Sequence, residues 1–523
     1  TPVCRAFISP LYLKSSEGRR LLAYLFGLHQ SLILDIHAVV RAQIPGARMP
    51  VLAAYGEIYF RVWRGADGPY LEKVEIHCLQ DLMHACIHAS TSKMHASLLA
   101  VLDGVHSQKK TKGMDAALLR LYGPVLWRAL RVANPTVRAQ ACQVLVDAFP
   151  LQDPAAGAAA YEAVLRQQFD ALAALLEDGH PRVRAVAAKG ACHVLRVYWE
   201  MIPMPTTRAL LARVVGRLAS DGASAMVRLG AVEGLIELLG CPASHSVLKA
   251  MLPSVFSKLV HDKNKRVRVT LVELLRLVKG MRSIKYYHLV PVDHILARLA
   301  EDHLTCPASA SKLTELILNS YFPTGPGVTG SLQVSRCLTL LSQDEGAATA
   351  FYSRLHQHAG LPSAAKVLAM LVRCAVVAAL NRDEGAGRTL PQNVVAESER
   401  EKKEGGRGRS KRKDLDAEEG RREDRTNKRT LNASDAKSMS GVLKLIATIW
   451  ESILPGLKES VNEPSLELIQ QTVTVESLAA LHGRFFRDEG CRSAFMRVAG
   501  LAGLDLAPGM LEEVVVDMLA LPA

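Results

Sequence analysis

The 523-residue sequence predicts an all-α array of stacked helix pairs, and three observations carry that prediction. A Val-Arg dipeptide recurs at a near-constant interval. Apolar residues follow it at three- and four-residue steps. The composition suits helices, with hydrophobic residues at 49% but aromatic ones at only 5%, a balance built on Leu, Ala and Val. The length lies well beyond the roughly 250 to 300 residues at which one globular core stops growing, so the chain is either several domains or an elongated array.

The interval decides for the array. Val137-Arg138 in ANPTVRAQACQVLVDAF recurs as Val183-Arg184 in EDGHPRVRAVAAKGACHVL, Val227-Arg228 in SDGASAMVRLGAVEGLIELL and Val267-Arg268 in HDKNKRVRVTLVELLRLV, at steps of 46, 44 and 40 residues. Helix pairs repeating at about 40 to 47 residues mark HEAT or armadillo arrays. Each copy reads as a Leu-rich first helix, a polar turn, and a second helix starting at or just before the Val-Arg pair. Pro135 and Pro181 stand two residues ahead of their pairs, where a helix tolerates proline because its first N–H groups have no internal partner. In the second copy Val183, Val186, Ala187, Gly190, Ala191 and Val194 form one apolar stripe that only a neighbouring repeat can cover. The fold class is therefore an α-solenoid of HEAT repeats.

Element by element, residues 1–71 read as a divergent helical part. Residues 72–322 read as about six repeats, counting degenerate copies at Lys93-Met94 and Ser311-Lys312. Residues 323–381 continue the helical array. Between 382 and 437 apolar periodicity gives way to mixed charge (SEREKKEGGRGRSKRKDLDAEEGRREDRTNKR), which cannot form a core and reads as a disordered insertion or linker. Residues 438–523 return to helix. The longest apolar run, Val367 to Leu380, is 14 residues interrupted by Arg373, too short to cross a bilayer. The chain opens at Thr1 with neither an initiator Met nor a leader pattern, and is read as a fragment or processed form without a secretion signal.

Charge points to a polyanionic partner: 64 basic minus 51 acidic residues leave +13, with a pI near 9.3. Ten scattered cysteines form no CxxC pair, suggesting neither a disulfide framework nor a zinc knuckle, and a reducing compartment. The expected phosphate contacts are Lys258, Lys263, Lys265, Arg266, Lys279, Arg282 and Lys285, followed by Tyr286 and Tyr287, together with Lys109, Lys110 and Lys112 in the loop HSQKKTKG. The two loops would meet a nucleic-acid backbone from one side. Arg138, Arg184, Arg228 and Arg268 are expected instead to pair with the turn acids Asp178, Asp221 and Asp262 as a repeat-stacking ladder. Lys402, Lys403, Arg409, Lys411, Arg412 and Lys413 resemble a nuclear-import signal.

Other patterns carry less. His84 and His88 share a helical face with Cys86 between them, but no further ligands lie nearby in sequence, and they read as helix-packing residues. Gly325, Gly327 and Gly330 match GxGxxG without the preceding strand that a dinucleotide site needs. Asn432-Ala433-Ser434 fits a glycosylation sequon in a chain with no export signal. No P-loop, HExxH helix, GxSxG elbow or kinase set is present, so the expectation is a non-enzymatic chain without cofactor or metal.

Several stretches go beyond what helix stacking demands: LYGPVLWRALRVANPTVRAQACQVLVDAFPLQDP, LLEDGHPRVRAVAAKGACHVLRVYWEMIP, LVHDKNKRVRVTLVELLRLVKGMRSIKYYHLVPVDHILARLAED and LILNSYFP. Across about residues 72 to 380 they resemble the G-type HEAT subunits of condensin II. The resemblance implies a subunit that binds the kleisin closing the SMC ATPase ring, sits with a D-type HEAT subunit, and helps hold double-stranded DNA in mitotic chromosomes within the nucleus, the ATPase residing in the SMC partners. The charged insertion and the short length depart from that family. The alternative is a HEAT adaptor of another class: a nuclear transport receptor, which is usually acidic, or a phosphatase scaffold, whose period is more regular.

Overall fold

The computed structural model describes residues 2–380 and 436–502, and every regular element among them is helical. The chain divides into two compact units, Thr1–Leu289 and Val290–Ala523. That boundary falls inside the stretch 72–322 that the sequence reads as one run of repeats.

In the first unit each Val-Arg pair lies in the opening turn of a helix: Pro135–Asp147, Pro181–Tyr198, Ala225–Leu238 and Lys265–Lys279. Local chemistry fixes these starts. Asn134, His180 and Asn264 side chains accept from the N–H groups of Thr136, Arg182 and Arg266 at 2.9, 3.2 and 2.9 Å, satisfying donors that an open helix end leaves unpaired. At the third copy the N-cap Ser224 makes no such bond, and Asp221 accepts instead from the turn N–H groups of Ala223 and Ser224, ahead of the helix.

Packing then aligns the helices. Val183, Ala187, Ala191 and Val194 are wholly buried, as are Val227, Ala231, Leu235 and Leu238 on the next second helix and Val267, Leu271, Leu274 and Val278 on the one after. Each large apolar side chain so buried contributes about 1.5–3 kcal/mol. The second helices approach closely enough that a Cβ on Gly230 would stand 2.7 Å from the Ala185 carbonyl oxygen. Helix pairs continue upstream of residue 72: Ser16–Phe26 packs on Met49–Gly65, which packs on Ser92–His106. The degenerate copy at Lys93-Met94 sits in the first turn of the latter, capped by Thr91.

In the second unit, Leu361–Leu380 packs against Ala436–Leu457 and Glu463–Thr472, and Ala436–Leu457 against Glu489–Ala502. The helices on either side of residues 381–435 therefore lie on one another, and the stretch that the sequence reads as a disordered insertion or linker falls almost wholly outside the described residues. Leu361–Leu380, at 20 residues, is longer than the 14-residue apolar run suggested, and it and Lys437–Leu457 are long and apolar enough to cross a membrane. Both are core helices here, with 56% and 61% of their apolar windows buried.

Candidate partner-binding surface

Each helix pair of the first unit has two edges. One carries the turns within pairs, the other the connections between pairs, and the sequence-predicted residues sort onto them.

On the turn edge Arg138 reaches Asp178 through a two-pronged contact, Nε to Oδ2 at 2.7 Å and Nη2 to Oδ1 at 2.8 Å. Arg184 Nη2 donates to Asp221 at 2.8 Å, and Arg228 donates to both Asp262 oxygens at 2.5 and 2.9 Å. Each arginine also turns back on its own turn. Arg138 donates to the carbonyls of Val132 and Ala133, Arg184 to those of Asp178 and Gly179, Arg228 to that of Asp221, and Arg268 to those of Asp262 and Lys263. In Arg138, Arg184 and Arg228 one guanidinium thus satisfies loop carbonyls of its own repeat and grips the acid of the next, which explains why arginine rather than lysine holds the position.

The sequence reading missed a further arginine of this kind. Arg19 donates to the carbonyls of Leu13 and Lys14, six and five residues back as in Arg138, and to Glu57 at 2.6 Å. Its signal was an N-capping Ser15, which accepts from Gly18, ahead of an arginine opening an amphipathic helix. No Val-Arg pair marked it, and its partner sits inside a helix rather than in a turn.

These contacts make stability depend on acid. Burial raises the Asp178 and Asp221 carboxyls, but hydrogen bonds from Arg138 and His180 to the first, and from Arg184 and Ser224 to the second, outweigh it and hold both below the ordinary 3.8. A carboxyl lowered on folding stabilises the fold above its unfolded value and loses that contribution as pH falls through the folded one. We expect the melting temperature to drop as pH falls below about 4, and less steeply in Asp178→Asn; identical profiles for the two proteins would contradict this.

The basic residues divide between the edges. Lys263, Lys265 and Arg266 are exposed at the turn that opens the Lys265–Lys279 helix, with exposed Lys258 at the end of the preceding helix. Lys279, Arg282 and Lys285 lie at the other end of that helix, about 20 Å away at 1.5 Å per residue. The loop holding Lys110 and Lys112, both exposed, is also a connection between pairs. It is therefore the Lys279–Lys285 group, not the Lys263 group, that shares an edge with this loop.

Lys109 departs from expectation altogether. Its Nζ donates to the carbonyls of Ala148, Phe149 and Pro150 at 2.5, 2.6 and 3.3 Å, capping the end of the Pro135–Asp147 helix, where cations are favoured. Burial lowers it to about 8 against the opposing pull of Asp115 and Asp147. It belongs to the framework of the connection edge, as do Gln152 on Asp115 at 3.0 Å, Tyr198 on the Phe149 carbonyl at 2.9 Å and His245 with Ser283 at 2.6 Å.

His84 and His88 stack with ring centroids 4.4 Å apart, while buried Cys86 faces His95, with Sγ 3.4 Å from Nδ1. Gly325 and Gly327 have positive φ in a connection between two helices, Pro307–Tyr321 and Gly330–Gln343. Lys402, Lys403, Arg409, Lys411, Arg412, Lys413 and Asn432 lie outside the described residues.

Repeated helix pairs linked by arginine–aspartate ion pairs, with basic residues on both edges, define a HEAT-type α-solenoid. Residues 5–153 match the family model described as condensin II non structural maintenance of chromosomes subunit. The chain is 34% identical over 488 residues to condensin-2 complex subunit G2 of Homo sapiens, covering 93% of this chain and 40% of the relative, and 30% identical over 525 residues to that of Danio rerio, covering 100% and 42%. Among solved structures, it aligns over 99% of its length with 58% of Kap121p bound to Ste12p, at 12% identity and a TM-score of 0.43. The chain is a homologue of the condensin-2 complex subunit G2 proteins and spans about two fifths of their length.

Proposed function

We propose that this chain is the HEAT-repeat body of a non-catalytic G-type condensin II subunit, which binds the kleisin and holds double-stranded DNA during mitotic chromosome condensation and segregation. The observation that carries this reading is the 34% identity over 488 residues to a condensin-2 subunit G2. In this reading the chain works in the nucleus, on chromosomes, within a complex that also holds the SMC ATPase heterodimer and a D-type HEAT subunit. The basic run from Lys402 to Lys413 serves import.

The DNA is held by its phosphates without regard to base sequence. Lys110, Lys112, Lys279, Arg282 and Lys285 act from the connection edge, and Lys258, Lys263, Lys265 and Arg266 form a second contact line on the turn edge. The ladder residues Arg138, Arg184, Arg228, Arg268, Asp178, Asp221 and Asp262 keep register and leave phosphate contact to the lysines.

Co-expression with the condensin II kleisin tests the assignment. The two should elute as one complex at about 0.2 M salt, where association by surface charge alone is largely screened; separate elution removes the kleisin claim. Duplex affinity should fall steeply with salt. The triple variant Lys110→Glu, Lys112→Glu, Arg282→Glu should lower the slope of log affinity against log salt by roughly 2 to 3, since each phosphate contact contributes about 0.9. An unchanged slope places the DNA elsewhere.

A further inference from the structure

The first helices of neighbouring pairs do not pack as closely as the second helices do. Between Met114–Ala129 and Ala158–Leu176 this leaves a cleft of about 420 Å³, open to solvent, within the size range of ligand pockets. Its apolar lining includes half-buried Trp127 and the buried Leu130 and Leu175. Its lining also holds exposed Arg131 and Arg166 and one exposed acid, Asp170, one turn beyond Arg166 on the same helix. The other acid in the lining, Asp178, is already bound on both oxygens by Arg138, so the lining is net positive.

Along the first helices taken as a series the balance has the same sign. From residue 114 to 259 the first helices of four successive pairs carry eight basic residues (Arg120, Arg128, Arg166, Arg208, Arg213, Arg217, Lys249 and Lys258). They carry three acidic ones, Asp115, Glu162 and Asp170. Of the eight, Arg213 and Arg217 share Glu177 and Arg120 reaches Glu75; the two helices that line the cleft carry three basic and three acidic residues, so its own surplus comes from Arg131, in the turn that follows the first of them.

We propose that this cleft is a docking site for an acidic linear segment of a partner protein. One bulky apolar side chain lies against Trp127, and flanking carboxylates sit beside Arg131 and Arg166. Charge complementarity selects an acidic occupant, because a basic segment would meet two guanidinium groups against one carboxylate. The apolar lining selects a peptide over nucleic acid, because phosphates gain nothing from Leu130 and Leu175, whereas an aromatic or branched side chain buries its surface there. Trp and Arg are also the residue types that most often dominate protein interfaces. This site is independent of the kleisin and DNA assignments.

The test uses the whole chain and short fluorescein-labelled peptides with a central Phe or Leu flanked by Glu, against the same peptides flanked by Lys or centred on Ala. We expect saturable binding of the Glu-flanked apolar peptides alone, weakened about tenfold in Trp127→Ala and in Arg166→Glu, as for a residue contributing about 1.4 kcal/mol. Asp170→Asn should tighten it. Arg166 is exposed, so its variant reads the site even if Trp127→Ala is destabilised. No saturable binding, equal binding of the Lys-flanked peptides, or affinity unchanged in Arg166→Glu would each overturn the proposal. Binding that duplex DNA displaces in wild type, and that Trp127→Ala leaves intact, would assign the cleft to nucleic acid instead.

Discussion

Gly104→Ala is expected to destabilise the first unit by about 1–3 kcal/mol, although alanine is the better helix former by about 1 kcal/mol. Gly104 on the Ser92–His106 helix faces Gly56 on Met49–Gly65, and a Cβ there would stand 2.3 Å from the Gly56 carbonyl carbon. A Cβ on Gly56 would in turn meet the Val101 carbonyl oxygen at 2.5 Å. These neighbours are backbone, so no rotamer change relieves the clash and the helices must separate, loosening Tyr55, Tyr59, Val101 and Leu102, all buried between them and their neighbours. Gly483→Ala is the control. It is exposed, in the Val475–Phe485 helix, with nothing within 4 Å of a new Cβ, and should stabilise by about 0.5–1 kcal/mol. Urea unfolding of both variants reads the difference, and a Gly104→Ala protein as stable as wild type would show that the two helices do not touch in solution.

Asp262→Ala should cost about 2–4 kcal/mol, the second large effect. The Asp262 side chain is 5% exposed and that of Arg228 15%, so removing the acid leaves a largely desolvated guanidinium beside an empty site, and breaking such a pair costs far more than the pair contributes over an apolar replacement. It also removes the acceptor of the Asn264 N–H at 2.7 Å, the bond that shapes the turn. Asp262→Asn separates the two effects, because it keeps an acceptor and loses the charge. The Lys189–Glu233 pair, at 3.7 Å with side chains 57% and 41% exposed, sets the scale for a surface pair: Glu233→Gln should change stability by less than about 0.5 kcal/mol. Similar losses from Asp262→Ala and Glu233→Gln would mean that the ladder holds nothing.

Much of the fold was legible because its signals are local. The Val-Arg pair, the proline or Asn ahead of it and the three- and four-residue apolar steps are all dictated within one helix turn, so the second helices could be placed from sequence alone. The acids Asp178, Asp221 and Asp262 followed, since each lies in the polar turn five or six residues ahead of the Val of its own repeat. Arg19 was not legible: its geometry repeats that of Arg138, but its partner Glu57 lies inside a helix with no turn to flag it.

By itself, then, the sequence determined the helix pairs, their period, the three pairs Arg138–Asp178, Arg184–Asp221 and Arg228–Asp262 and the family resemblance, because each depends on residues close in the chain, on the repeat or on identity along it. Only the tertiary structure decided which charges act together. Lys109 looks like Lys110 and Lys112 in sequence, yet its ammonium is drawn into the carbonyls ending a helix some 40 residues on. Lys265 and Lys279 look like one cluster, yet a rigid helix holds them at opposite ends. The Trp127 cleft has no local signature, because it exists only where two helices from different pairs stand apart.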